Sequence, residues 1–316
     1  MTTAPAVRNA DLGGRGSRPQ LPHVRTVLLE QVRVTGLALR RPALIAATLV
    51  ALLTAFGMLQ IVSKRMVVSV PAWPTMLPGL VGALLPGTVW ARDDHFGPAF
   101  LWTLPVDRRR HALIKVLAGW VWLVGGMLLL ALWLLALTLA TGGRVLPTET
   151  LRVVTPHATA AGALDPAALQ TVRWAPGPLI RAVPFTAATA GYVLASALVL
   201  GSRHPLRWVI GVLVAYPIAS AACEAAGAGL GVGWLADAPG RLVRLIVSSR
   251  YGLDALLTAR TESLSAPATL TTGAQVAVWR AVPDLADWRT ATLLWTGLGL
   301  VALWAAASRH RERRRA

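Results

Sequence analysis

Apolar residues along the chain are gathered into six long runs, which shorter polar segments separate. A helix of about 20 residues is needed to cross the hydrocarbon core of a bilayer, and each run is close to that length. The runs cover residues 43–62, 74–91, 116–140, 180–201, 206–226 and 291–307. This pattern predicts an all-α integral membrane protein with six transmembrane helices and with both termini on one side of the membrane.

The ends of the chain have a different pattern. Residues 1–22 are rich in Gly, Arg and Pro, which predicts a disordered tail, and residues 308–316 form a basic tail. In residues 23–42, apolar positions recur with helical spacing opposite several arginines, which predicts an amphipathic helix in the headgroup plane. An ordinary lead-in to the first span is the alternative. Residues 43–307 are then the membrane domain.

Two segments depart from regular transmembrane helices. The second run contains Pro78 and Pro86, so we expect a kinked or partly broken helix there that faces a partner subunit or a path through the protein. A kink that lipid tolerates is the alternative. Between the fifth and sixth runs, apolar residues line one side of a helix from about Arg241 to Arg260. We expect this helix on the side opposite the termini, either re-entrant or flat on the membrane interface.

Composition and charge favour a membrane protein over a soluble one. Hydrophobic residues make up 55% of the chain and charged residues only 14%, although Lys and Arg outnumber Asp and Glu by 31 to 14. In a soluble chain the net charge of +17 would suggest nucleic acid, but the arginines concentrate in the tails and in the loops after the second and fourth runs. Positive charge collects in cytoplasmic loops and contacts phospholipid headgroups. We therefore expect cytoplasmic termini, lipids as partners and no nucleic acid.

The most polar interruption of the apolar half is the segment from Arg92 to Lys115, RDDHFGPAFLWTLPVDRRRHALIK. An acidic start leads into a short apolar helix, Pro105 then breaks the helix, and Asp107 is a good N-cap for a new helix that starts at Arg108. This order resembles the cytoplasmic loop of ABC type-2 transporter permeases. The matching positions are Asp93, Asp94, Gly97, Leu104, Pro105, Val106, Arg108 and Lys115, and the departures are Pro98, Asp107 and Ile114.

The resemblance implies that this loop is a coupling helix, which contacts a separate ATP-binding subunit. Apolar side chains would fill a groove on that partner, and charged ones would set the register at its rim. The apolar group is Phe96, Phe100, Leu101 and Leu104, and the charged group is Asp93, Asp94 and Arg108–Arg110. A second permease chain, either identical or similar, is also implied, in a bacterial plasma membrane, with export of an amphipathic or lipid-like substrate.

Catalytic chemistry is not indicated by any motif of the chain. There is no Walker A motif, so ATP and Mg²⁺ are expected on the partner subunit and no cofactor on this chain. We expect no metal site, because Asp93, Asp94 and His95 are adjacent and point apart on a helix. The alternatives to a permease are a non-transporting membrane anchor or accessory subunit, and a membrane-embedded lipid-modifying enzyme.

Two charged residues lie at the ends of apolar runs. Arg181 is near the start of the fourth run and Glu224 is near the end of the fifth, on the side opposite the termini. A charged side chain is costly in the apolar layer, so we consider a pairing of Arg181 with Glu224 on neighbouring spans. The alternative is that each side chain extends separately to water.

Overall fold

The computed structural model describes most of the chain, with gaps in the tails and in several connections. The described residues are 24–64, 76–90, 108–143, 145, 148–154, 165–175, 177–202, 204–259, 266–272, 275–279 and 285–312. Among them, five helices are long and apolar enough to cross a membrane, and a further apolar helix is shorter. The chain is thus a mostly helical, multi-pass membrane protein.

The apolar helices follow the order of the six predicted runs. They are α1 (Val24–Lys64), α2 (Leu77–Trp90), α3 (Arg108–Ala140), α4 (Val183–Gly201), α5 (Pro205–Leu230) and α9 (Leu285–Glu312). A 3₁₀ turn, Pro178–Ala182, leads into α4. α2 has 14 residues, of which Pro86 is one. The described part of α2 is about 21 Å long, which is less than the apolar layer of about 30 Å.

Contacts between side chains fix the directions of these helices. Arg109, at the start of α3, lies over the ring of Trp304 near the end of α9. Further along α3, the indole nitrogen of Trp120 donates to the hydroxyl of Thr189 in α4. α3 is therefore antiparallel to both α4 and α9. We call the end of the bundle that contains the start of α3 and the end of α9 the basic end.

α4 occupies the centre of the bundle and packs against α2, α3 and α9. Small residues allow this, since Ala187, Ala188 and Ala190 are completely buried. α2 approaches α4 very closely: a Cβ at Gly82 would overlap the carbonyl of Ala188, and a Cβ at Gly191 would lie 2.6 Å from the carbonyl oxygen of Gly79. Such close approach at small residues is the usual way in which membrane helices pack.

α1 is a single helix that continues across the boundary predicted between an interfacial segment and the first span. Pro42 lies inside it. The segment before Pro42 contacts α3, because the indole nitrogen of Trp122 donates to the carbonyl of Val32 at 2.8 Å. Further along, the indole nitrogen of Trp133 donates to the hydroxyl of Thr54 at 3.2 Å. α1 thus runs parallel to α3 and begins at the basic end.

Two β-hairpins, which the sequence analysis did not predict, lie at the opposite end. β1 (Glu149–Val154) pairs with β2 (Leu169–Trp174), and β3 (Ala266–Thr269) pairs with β4 (Gln275–Val278), both antiparallel. A bridge between Val153 and Trp279 joins the two hairpins. The amide of Val154 donates to the carbonyl of Trp279, and the amide of Trp279 donates to the carbonyl of Arg152. We call this the hairpin end.

The helix predicted from about Arg241 to Arg260 is broken into pieces. The pieces are the end of α7 (Ala238–Val243), a π-helical turn (Arg244–Ser248) and α8 (Leu253–Thr258), and a short helix α6 (Gly233–Ala236) precedes them. The break falls at Ser249 and Gly252, whose backbones are extended, and a Cβ at Gly252 would meet the carbonyl of Val247. A continuous helix was therefore the wrong expectation for this segment, because the chain turns there.

α8 enters the hairpin end of the bundle between α4 and α9. Leu256 is 1% exposed, and Leu257 occupies the space that a Cβ at Gly79 of α2 would need. Two bonds from α9 hold the segment before α8: Asp287 pairs with Arg250, and the indole nitrogen of Trp295 donates to the carbonyl of Tyr251. Of the two alternatives, insertion between helices describes α8 better than a flat position on the bundle.

Candidate functional site: the basic end of the bundle and its polar core

The predicted coupling segment lies between α2 and α3, and its flanks are described. Most of its residues fall outside the described part of the chain, namely Asp93, Asp94, Phe96, Gly97, Phe100, Leu101, Leu104, Pro105 and Asp107. The helix that follows is described from Arg108 to Ala140. Trp90 ends α2 on the other flank. The residues that hold these two flanks therefore define the candidate site.

Lys115 is buried within the bundle, with 6% of its surface exposed. Its Nζ lies 4.5 Å from the centroid of the Trp90 ring, in the geometry of a cation–π contact. Along the axis of α3, Lys115 is about 9 Å further into the bundle than Arg109. The Lys115 side chain therefore joins the first turns of α3 to the last turn of α2, and its position is internal.

Arg109 makes a similar contact with a different helix, α9. Its guanidinium carbon lies 5.0 Å from the centroid of the Trp304 ring in α9. Attraction between a cation and an aromatic face contributes about 0.5–1 kcal/mol at an exposed site and more where water is excluded. The start of α3 is thus attached to two different helices by two aromatic–cation pairs.

Behind Lys115, a buried tyrosine connects α3 to α4. The hydroxyl of Tyr192 donates to the carbonyl of Val116 at 2.8 Å, and Tyr192 is completely buried. Gly119 makes room for this ring, because a Cβ there would overlap the Tyr192 hydroxyl. Ser196, one turn along α4, is also completely buried. Its hydroxyl has no partner of ordinary hydrogen-bond geometry in the described part of the structure.

These groups form a polar core within an apolar bundle, and they can position helices and hold one positive charge. Ionisable residues buried among membrane helices usually belong to functional sites. The sequence analysis missed this core: it treated Lys115 as a residue of the loop and Tyr192 as part of an apolar run. Only the placement of Lys115 just before a long apolar run could have indicated its burial.

Arg181 and Glu224 are not brought together within one chain. Arg181 lies in the 3₁₀ turn before α4, Glu224 lies on α5, and both residues are exposed. The ion pairs between described residues are Arg241 with Asp237 and Arg250 with Asp287. Both charges nevertheless lie towards the hairpin end of the helices that carry them.

Comparison with protein-family models, with curated proteins and with solved structures finds no match to this chain. A function must therefore be argued from the residues, the basic end and the helix contacts themselves.

Proposed function

We propose that the chain is the membrane permease subunit of an ATP-driven exporter of the ABC type-2 class. In this proposal, the segment from Asp93 to Val106 contacts a separate ATP-binding subunit, and ATP and Mg²⁺ bind only there. The basic end and both termini face the cytoplasm of a bacterial cell. The substrate is amphipathic or lipid-like, because the described helices present apolar side chains almost everywhere on their surfaces.

The observation that carries the proposal is the attachment of both flanks of the coupling segment to the bundle. A motor outside the membrane moves membrane helices only through a part that is rigidly connected to them. Lys115 on Trp90 and Arg109 on Trp304 provide this connection between α3, α2 and α9. The bond from Tyr192 to Val116 extends it to the central helix α4.

Two further features support this proposal. The groups of arginines at the starts of α1 and α3, between α4 and α5, and after α9 all belong to one end of the bundle, which is the distribution that cytoplasmic loops have. The coupling segment connects α2 to α3, and α3 starts at that same end. A partner in the cytoplasm would therefore meet this segment directly.

The test first looks in the neighbouring genes for a product with a Walker A motif, which would also separate a permease from the alternatives, and then co-expresses that ATP-binding protein with this chain. Leu101→Asp combined with Leu104→Asp should abolish co-purification of the ATP-binding protein and ATP-dependent transport, because two charges replace the apolar side chains that fill its groove. The membrane-inserted protein should keep the size-exclusion profile of the wild type.

Matched controls separate this effect from a general loss of folding. Leu101→Met with Leu104→Met keeps the apolar surface and should retain co-purification. Leu179→Asp places a charge on an exposed residue of the turn before α4, at the hairpin end, where no effect is expected. Undiminished co-purification with the double Asp variant would remove the segment from the interface. A non-transporting anchor would bind its partners without ATP-dependent transport.

A further inference from the structure

The first two turns of α5 carry an open cleft of about 380 Å³, which is lined by His204, Arg207, Trp208 and Gly211. Its volume lies in the range of about 300–1,000 Å³ that small-ligand sites have. The four residues have the spacing i, i+3, i+4 and i+7, which places them on one side of a helix. The cleft thus lies on a single face of α5, next to the turn that joins α5 to α4.

Two basic side chains, His204 and Arg207, line the cleft, and both are exposed. Between Asp165 and Glu224 the sequence contains no other acidic residue. The ion pairs between described residues do not involve Arg207. An arginine binds phosphate oxygens through two parallel N–H groups, and a histidine offers a further N–H donor. The cleft therefore has the chemistry of a phosphate site.

The position of the cleft along the bundle favours a lipid over a soluble anion. α5 starts at the basic end, because α4 is antiparallel to α3 and ends there. His204 precedes the first turn of α5, whereas Gly211 lies about 10 Å further along its axis. Trp208 stands between them with 66% of its surface exposed, and tryptophan is typical of the boundary between membrane and water. The cleft therefore extends from the level of the headgroups into the apolar layer.

Beyond the cleft, the same face of α5 continues as exposed apolar surface. Val214 and Ile218 lie three and seven residues after Gly211, and more than half of each is exposed. A Cβ at Gly211 would meet no atom within 4 Å, so the groove at this glycine is open in the described structure. A protein in the cytoplasm would reach only the start of this face, whereas an acyl chain can lie along all of it.

We propose that this cleft binds one anionic phospholipid, whose phosphate Arg207 and His204 hold and whose acyl chain follows Gly211, Val214 and Ile218. The indole N–H of Trp208 is then available to the ester groups of the lipid. Basic pockets at the cytoplasmic ends of membrane helices suit anionic headgroups. Such a site is more specific than the attraction of basic loops to headgroups, because it depends on one arginine and one groove. The proposal makes no use of the ATP-binding subunit, so it stands or fails separately from the proposed function.

The experiment titrates the full-length chain, purified in detergent, with dioleoyl-phosphatidylglycerol and measures the bound lipid by native mass spectrometry. Dioleoyl-phosphatidylcholine, which has the same chains and a phosphate but no net charge, is the reference lipid. The wild type should bind the first molecule of phosphatidylglycerol more tightly, by about tenfold or more, because hydrogen bonds to charged groups contribute at this level. Arg207→Gln should remove most of this preference.

Two further variants separate a site from general attraction. Arg309→Gln removes another exposed arginine of the basic end, outside the cleft, and should leave the preference unchanged. Gly211→Leu fills the groove without a change of charge and should weaken the binding of phosphatidylglycerol. Both cleft variants should keep the size-exclusion profile of the wild type, because the altered side chains are exposed or meet open space.

Several results would overturn the proposal. Equal binding of the two lipids by the wild type, or equal losses in Arg207→Gln and Arg309→Gln, would mean that lipid is attracted without a site. Unchanged binding in Gly211→Leu would mean that no acyl chain lies in the groove. Displacement of the lipid by millimolar glycerol 1-phosphate would identify a site for a soluble anion instead.

Discussion

The candidate span that ends with α4, Pro178–Gly201, and the span of α5, Pro205–Gly229, follow each other in the chain. They have 24 and 25 residues and the same mean hydropathy, and yet are packed in opposite ways. Half of the residues in the most apolar stretch of α4 are buried, whereas none are in that of α5. Hydropathy therefore indicates which segments enter a membrane and does not indicate which of them pack together. The difference lies in where small side chains are placed, since packing between membrane helices has little hydrophobic driving force.

In α4, the small residues face other helices of the same chain. Ala188 and Gly191 contact α2 at Gly82 and Gly79, and the contact is close enough to involve the backbones of both helices. In α5, a Cβ added at Gly211 would meet no atom within 4 Å. Glycine is thus required where α2 and α4 meet, whereas at Gly211 of α5 a larger residue would fit.

The largest effect that we expect within this comparison is that of Gly82→Ala. The new methyl group would overlap the carbonyl of Ala188, and overpacking of this kind costs about 1–3 kcal/mol. The midpoint of thermal unfolding in detergent should fall by about 5 °C or more, measured by loss of the monodisperse size-exclusion peak. The matched variant Gly211→Ala should leave the midpoint unchanged or slightly higher. Equal midpoints for the two variants would contradict the packing argument.

A smaller effect is expected from removing one hydroxyl. Tyr192→Phe eliminates the bond to the carbonyl of Val116, and a hydrogen bond of this type contributes about 1 kcal/mol. The unfolding midpoint should fall by a few degrees. Tyr216→Phe on α5, where the ring is exposed, is the control and should behave as the wild type. A loss of stability in the Tyr216 variant alone would place the stabilising contacts on α5.

The smallest effect concerns α1, which is intermediate between α4 and α5 because its most apolar stretch is exposed and it is attached at a few points. Thr54→Val removes the acceptor for the indole nitrogen of Trp133. Interhelical bonds of this type contribute about 0.6 kcal/mol on average, so a double-mutant cycle with Trp133→Phe should give a coupling of about that size. Thr48, whose hydroxyl bonds within its own helix, is the control position, and its coupling to Trp133 should be zero.

The sequence predicts the positions of the helices well and the contacts between them poorly. The prediction of a helix from Arg108 onwards rests on an N-cap residue, a proline and a run of arginines, which are local signals, and Arg108–Ala140 is helical in the structure. The burial of Tyr192 has no local signal, because every face of an apolar run is apolar and no periodicity separates the inside from the outside. For Lys115, the one local signal is its position just before a long apolar run. Contacts such as Gly119 against Tyr192 depend on two helices that are distant in the chain.

The hairpins and the broken helix before α8 were missed for a different reason. Strands of four to six residues, such as β1 and β3, are too short for the alternation of side chains to stand out, and β3 contains Pro267. In the segment predicted as one helix, the leucines keep helical spacing across the break at Ser249 and Gly252. The spacing was therefore correct within each piece and gave no information on the turn between them.

The bridge between Val153 and Trp279 has a consequence for the order in which the protein is completed during synthesis. β1 and its partner strand β2 leave the ribosome early, but Trp279, which makes the bridge to Val153, emerges only after α4, α5 and α8 have been made. The first hairpin must therefore wait, paired on one edge alone, while the later helices enter the membrane. The joined sheet at the hairpin end is consequently one of the last parts to form, and its closure marks a chain whose helices up to α8 are already inserted.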